Sequence, residues 1–216
     1  MKPGVERSVA AILRAQNVEG AFVASPDFAQ YQYCWLRDGS FIAYSLDCVG
    51  ELEAAGRFHK WCAAAIVRVI PLINEALDRH AAGKPVDASQ MPPARFSLDG
   101  LPRDDDWPNF QIDGYGTWLW SLHQHLQLIG EQDLPSGLRP AVEHSARYLA
   151  QMGTSSCYDV WEESGGSVHT STLACVYAGL RASATLLDNP AIDERAEQIH
   201  FDDLRVACPR FGDSAP

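Results

Sequence analysis

Apolar residues recur at helical spacing along most of this 216-residue chain. Between residues 5 and 17, Val5, Val9, Ile12 and Leu13 fall on one side of a short amphipathic helix. Residues 39–49 carry Phe41, Ile42, Tyr44 and Leu46 in a second helix. The clearest stripe runs over about 52–81, through Phe58, Trp61, Cys62, Ala65, Ile66, Val69, Ile70, Ile73 and Leu77. Pro71 is expected to kink it, because proline lacks an N–H and crowds the preceding turn. Helical spacing returns with Tyr115, Trp118, Leu119, Leu122, Leu126 and Ile129, where Trp118 is expected in the core. It continues over 137–152, 168–187 and 190–200, the last opening on Pro190, a residue tolerated in a first turn. No two segments alternate with period two between turn residues, and only short extended pieces near 94–98 are expected. The pattern predicts a nearly all-α chain of about seven helices joined as antiparallel hairpins. No sequence repeat is visible, which leaves a toroid of hairpins open.

Residues 82–113 break the pattern. Gly, Pro and Asp punctuate them, and a loop of that length inside a compact domain is often functional. The formal charge of −11, from 28 acidic against 17 basic residues, argues against nucleic acid or an anionic membrane as partner. No apolar run reaches the roughly 18–20 residues of a membrane span. Glu6 and Arg7 interrupt any secretory h-region, so a cytoplasmic location is expected. Cys34, Cys48, Cys62, Cys157, Cys175 and Cys208 form no CxxC pair and read as free, mostly buried thiols. His123 and His125, two apart on a helix, point to different faces and make poor joint ligands. Asp104–Asp105–Asp106 lacks the spacing and glycine of a calcium loop. No metal and no cofactor is therefore expected.

Three stretches combine aromatics with charge where helices meet loops: "YQYCWLRDG", "DDDWPNFQIDGYGTWLW" and "YDVWEESGGSVHTS". Trp and Tyr faces stack on the C–H faces of a pyranose. Arg37 can donate in a fork and Asp38 can accept from hydroxyls, although as neighbours they also read as a structural ion pair. Glycoside hydrolysis needs two carboxyls, one of them protonated. Glu162 has a like-charged neighbour in Glu163 and an indole neighbour in Trp161, surroundings that favour an acid. Taken alone, Glu162–Glu163 also reads as a solvated pair at a helix start.

"WLRDG", "WPNFQIDGYG" and "DVWEE", in this order, resemble the catalytic domain of glycoside hydrolase family 15, the glucoamylase family, from about residue 5 to 200. The resemblance implies an (α/α)6 barrel, of which this chain would hold the N-terminal half, and an inverting exo-acting α-glucosidase. It implies that Tyr31 stacks on the terminal glucose, Trp35 lines the pocket, and Arg37 and Asp38 grip hydroxyls. Trp107, delivered by the 82–113 loop, would form a wall near the acid. Glu162 would be the general acid and Glu163 would bind substrate near the next subsite. The implied partner is a small α-glucoside or oligosaccharide.

In the family the general base is a second glutamate of the C-terminal half, and no residue here is assigned to it. A binding arginine after the acid motif also has no counterpart. The chain is thus expected to be a truncated or split product, inactive alone, and to self-associate through faces meant for absent helices. The first helix near residue 5 leaves no room for a β-rich N-terminal domain, a layout more like the isomaltose glucohydrolases. The alternatives are a non-catalytic carbohydrate-binding or interaction half-barrel, and a plain helical structural domain.

Overall fold

The computed structural model describes residues 3–102, 107 and 109–199. Among these residues are eight α-helices: α1 (Pro3–Arg14), α2 (Leu36–Val49), α3 (Leu52–Arg68), α4 (Ile70–Ala81), α5 (Asp113–Leu128), α6 (Arg139–Met152), α7 (Thr170–Leu187) and α8 (Pro190–Gln198). Two short strands, β1 (Cys34–Trp35) and β2 (Arg95–Phe96), pair antiparallel with Trp35 opposite Arg95. The all-α expectation holds. The predicted 52–81 helix is instead two helices. Pro71 sits in the first turn of a new helix, α4, because a proline that cannot donate to the preceding turn is harmless there.

α5 is the centre of the packing, buried along most of its length between α2 and α7. Two glycines of "DGYG" make this possible. A side chain at Gly116 would overlap the Cys175 carbonyl of α7 at 2.2 Å, and one at Gly179 would overlap the Gly116 Cα at 2.5 Å. A side chain at Gly114 would meet the Leu36 Cβ of α2 at 3.2 Å. The helices therefore cross backbone to backbone. α3, α4, α6 and α8 cover this layer, and Trp118, Tyr115, Phe58, Ile66 and Leu36 are wholly enclosed. Each such side chain contributes about 1.5–3 kcal/mol by burial.

α2 and α5 run side by side in the same direction. Near their starts Arg37 pairs with Asp113, and near their ends Asp47 meets His125. The long loop after α4 is pinned to the body, with the Trp61 indole donating to the Leu98 carbonyl and the Tyr115 hydroxyl to that of Pro93. At the opposite end a groove of about 1130 Å³ runs along α3 beside the 131–138 segment, over the end of α5. His59 lies at its base, 1% exposed, and burial, with the neighbouring His125 adding to it, pushes its ring down to about 3. Cys34, Cys62 and Cys157 are buried free thiols, whereas Cys48 is exposed. Asp104, Asp105, Asp106 and Cys208 lie outside the described residues.

Candidate active site

An aromatic wall stands above the starts of α2 and α5. Tyr31 closes a short 3-10 turn and Trp35 ends β1. Trp107 comes from the long loop, as the sequence predicts. Ring centroids are 6.0 Å apart for Tyr31–Trp35, 5.8 Å for Tyr31–Trp107 and 6.1 Å for Trp35–Trp107, the last two edge to face. Behind them lies Arg95, 2% exposed, its guanidinium 4.4 Å from the Tyr33 centroid, 4.5 Å from that of Trp107 and 5.3 Å from that of Trp35. Cation–π attraction to three rings orients the wall.

Arg37 occupies the first turn of α2. Its Nη1 donates to Gln111 Oε1 at 2.7 Å and to Asp113 Oδ2 at 2.9 Å, whereas its Nη2 lies 3.4 Å from Asp38 Oδ2. The Arg37 side chain is only 13% exposed and Asp113 only 4%, against 48% for Asp38. Arg37 is held mainly from below, and Asp38 is left facing the solvent side. Burial alone would lower the Arg37 pKa, but Asp113 and Asp38 outweigh it and the net direction is up. The protein around Asp38 pushes its carboxyl up, Arg37 pulls it down, and Asp113 and Glu162 push it up further.

Gln111 continues the chain of bonds. Its Nε2 donates to Glu162 Oε1 at 2.9 Å, and Trp35 Nε1 donates to the same oxygen at 3.0 Å. One oxygen of Glu162 is thus anchored twice.

Glu162 sits in a tight loop after α6. Its φ of 62° is left-handed, a conformation uncommon for a residue with a side chain. Asp159 holds it there: its Oδ1 accepts from the Trp161 and Glu163 amides, each at 2.9 Å, and its carbonyl accepts from the Glu162 amide at 2.9 Å. His169 Nε2 braces the loop against the Cys157 carbonyl at 3.0 Å. Two expectations fare differently. Trp161 is 79% exposed and gives Glu162 no apolar cover. The Glu163 side chain is exposed, while its backbone closes the turn. Tyr31, Trp35, Trp107, Arg37, Asp38 and Glu162 are linked by ring contacts, hydrogen bonds or charge coupling.

Gln111, Asp113, Arg95 and Asp159 were not anticipated. The first two lie inside a motif that drew attention through its aromatics. A carboxylate two residues before an apolar helical stripe is the available signal for Asp113.

The sequence profile described as Glycosyl hydrolases family 15 matches residues 3–200. An isomaltose glucohydrolase of Kribbella flavida is 38% identical over 179 residues, covering 82% of this chain and 46% of that protein. A glucoamylase-1 of Arthroderma benhamiae is 23% identical over 157 residues, covering 67% of this chain and 24% of that protein. A wild-type glycosidase and a glycosidase variant in complex with glucose each superpose with a TM-score of 0.85 at 35% identity, covering 94% of this chain and 55% of theirs. The chain spans about half the length, or less, of these relatives.

Proposed function

The chain belongs to glycosyl hydrolases family 15, and from that membership we propose that it carries the acid and the terminal-sugar subsite of an inverting exo-acting α-glucosidase. The observation that carries the reading is Glu162 Oε1, fixed by both the pocket-wall indole of Trp35 and the Arg37-bound amide of Gln111. That arrangement leaves the other carboxyl oxygen, beside an aromatic wall, to give a glycosidic oxygen its proton. Tyr31, Trp35 and Trp107 pack on the sugar face. Arg37 and Asp38 serve its hydroxyls, with Asp38 the more accessible of the two. Glu163 serves the next subsite.

Inversion needs a second carboxylate about 6.5–9.5 Å across the bond to activate water. Glu163 cannot fill that role, because consecutive residues cannot straddle a sugar, and Asp38 is engaged with hydroxyls. None of the described residues is assigned as base, so the 216 residues alone are proposed to bind α-glucosides with little turnover. The same observation favours the second reading, a carbohydrate-binding module without hydrolysis. Isomaltose is the first substrate to test, since the Kribbella relative is an isomaltose glucohydrolase. The proposed location is the cytoplasm. Among the described residues no helix is long and apolar enough to cross a membrane.

Indole fluorescence on titration with isomaltose measures binding, and glucose release measures turnover, for the chain alone and with the remainder of a family 15 domain added in trans. Any turnover should fall by about 10²-fold or more in Glu162→Gln, with binding kept. Turnover that survives Glu162→Gln rejects the acid, and absence of isomaltose binding rejects the site.

A further inference from the structure

At the end of the molecule away from Glu162, three buried groups from three helices face one another. Asp47 lies ten residues along α2 from Arg37, and His125 twelve residues along α5 from Asp113. At 1.5 Å per residue that is roughly 15–18 Å from the acid-bearing end. His59 comes from the middle of α3. Asp47 and His125 are 5% exposed and His59 is 1% exposed. One ligating atom from each lies within 4.8 Å of the other two.

Hydrogen bonding leaves this cluster incomplete. His125 Nδ1 and Asp47 Oδ1 are 2.8 Å apart. Asp47 Oδ2 and both ring nitrogens of His59 have no hydrogen-bond partner. Buried polar atoms are nearly always paired, and an imidazole enclosed with both nitrogens unpaired loses its hydration for nothing. Gly56, one turn before His59, keeps the neighbourhood open, since a side chain there would stand 3.2 Å from His125 Nε2. The groove along α3 supplies an entry path, and both histidines line it.

We infer that Asp47, His59 and His125 form a binding site for a zinc-type divalent cation, with a water from the groove as fourth ligand. The ligand set selects the ion. Two imidazoles and one carboxylate suit zinc and its transition-metal neighbours, whereas magnesium and calcium take mainly oxygen. In a four-coordinate site with bonds of about 2.0–2.2 Å, ligand atoms stand about 3.3–3.6 Å apart. The His125–Asp47 pair, at 2.8 Å, therefore opens slightly, and the widest separation in the cluster closes by up to about 1.5 Å through side-chain rotations. The ion takes the place of the proton shared by His125 and Asp47, and engages one of the two ring nitrogens that His59 leaves unpaired. It would clip α2, α3 and α5 together far from the sugar site, as a structural metal.

The test uses the full chain, stripped with a chelator and titrated with Zn²⁺ by calorimetry, with bound metal counted by mass spectrometry. One tight equivalent is expected, and a Tm rise of roughly 5–10 °C at hundredfold excess over Kd. His59→Gln and Asp47→Asn should lose both, while exposed His80→Gln keeps both. Circular dichroism establishes that the variants fold. If they do not, Co²⁺ added to the unaltered protein decides, because a four-coordinate nitrogen–oxygen site gives intense visible bands. Zinc binding unchanged in folded His59→Gln, or a Co²⁺ spectrum of hydrated ion only, overturns the inference. No readout involves sugar, so the result stands apart from the glycosidase reading.

Discussion

The Asp113 carboxylate should matter far more to stability than that of Asp38, although both approach the same arginine. Asp113 is 4% exposed and meets Arg37 at 2.9 Å, with Arg37 itself 13% exposed. Asp38 is 48% exposed and 3.4 Å away. Removing one partner of a buried pair strands the other charge and typically costs about 3–5 kcal/mol. Asparagine keeps an acceptor oxygen, so Asp113→Asn should cost about 3 kcal/mol, at the low end of that range. A half-exposed pair is screened by water and contributes about 1 kcal/mol or less, so Asp38→Asn should cost no more than that. Urea unfolding followed by far-UV circular dichroism separates the two. With m values of about 1–3 kcal/mol/M, Asp113→Asn should lower the midpoint by about 1 M or more, and Asp38→Asn by a small fraction of that. Because Arg37 also holds Gln111, Asp113→Asn should weaken isomaltose binding as well. Equal losses in the two variants, or a larger one for Asp38→Asn, would refute the assignment of Asp113 as the structural partner of Arg37.

Gly116→Ala and Gly179→Ala force a methyl group into facing backbone at 2.2 and 2.5 Å, and each should destabilise by at least about 1–3 kcal/mol, while Gly137→Ala, with open space around it, should leave the urea midpoint nearly unchanged. Asp38 has its carboxyl raised above 3.8, so the folded state binds a proton more tightly than the unfolded one and Asp38 costs stability as pH rises through the carboxylate range. The stability of Asp38→Asn relative to the unaltered chain should therefore improve as pH rises through the carboxylate range in paired urea melts, and a worsening would contradict it. Phe41, 50% exposed, forms an aromatic face with Tyr44 and Trp120 at centroid distances of 4.8–6.2 Å. Self-association is proposed to use that face, so Phe41→Ser should lower the average mass in sedimentation equilibrium, and an unchanged distribution would remove the face from consideration.

Helix positions were legible because burial imposes a 3.6-residue period on the sequence, and Trp118 is buried as its place in the stripe implied. The break at Pro71 was legible as a perturbation but not as a restart, since a kink and a new first turn place proline at the same point. The aromatic and acidic members of the site were legible as motifs. What supports them was not. Arg95 reaches the wall through the two-residue register that sets it opposite Trp35, a pairing across 60 positions with no local trace. A helical spacing on one helix is the only ligand pattern a single segment can display, and His123 with His125 does not have it. The cluster that the fold assembles draws instead on three helices, and only His125 belonged to the pair considered. Adjacency alone makes Trp161 look like cover for Glu162, yet the left-handed turn at Glu162 leaves that indole 79% exposed.

The stretch Asp113–Gly116 shows why the geometry of the candidate site and the packing are not separable here. Asp113 fixes Arg37, and through Gln111 that bond reaches the oxygen of Glu162. Gly114 lets α2 come close enough for the Asp113–Arg37 distance to be 2.9 Å. The hydroxyl of Tyr115 ties down the loop at Pro93, two residues before the Arg95 that backs the aromatic wall. Gly116 admits α7, whose N-terminal end closes the loop bearing Glu162. Each residue of the four sets a different wall, and all share one rigid helical turn. Displacing α5 by an ångström would move the arginine, the tryptophan loop and the acid loop together. A substitution at Gly116 should therefore weaken sugar binding even though no atom of that residue faces the pocket, whereas an exposed change such as Val18→Ser should leave binding unchanged.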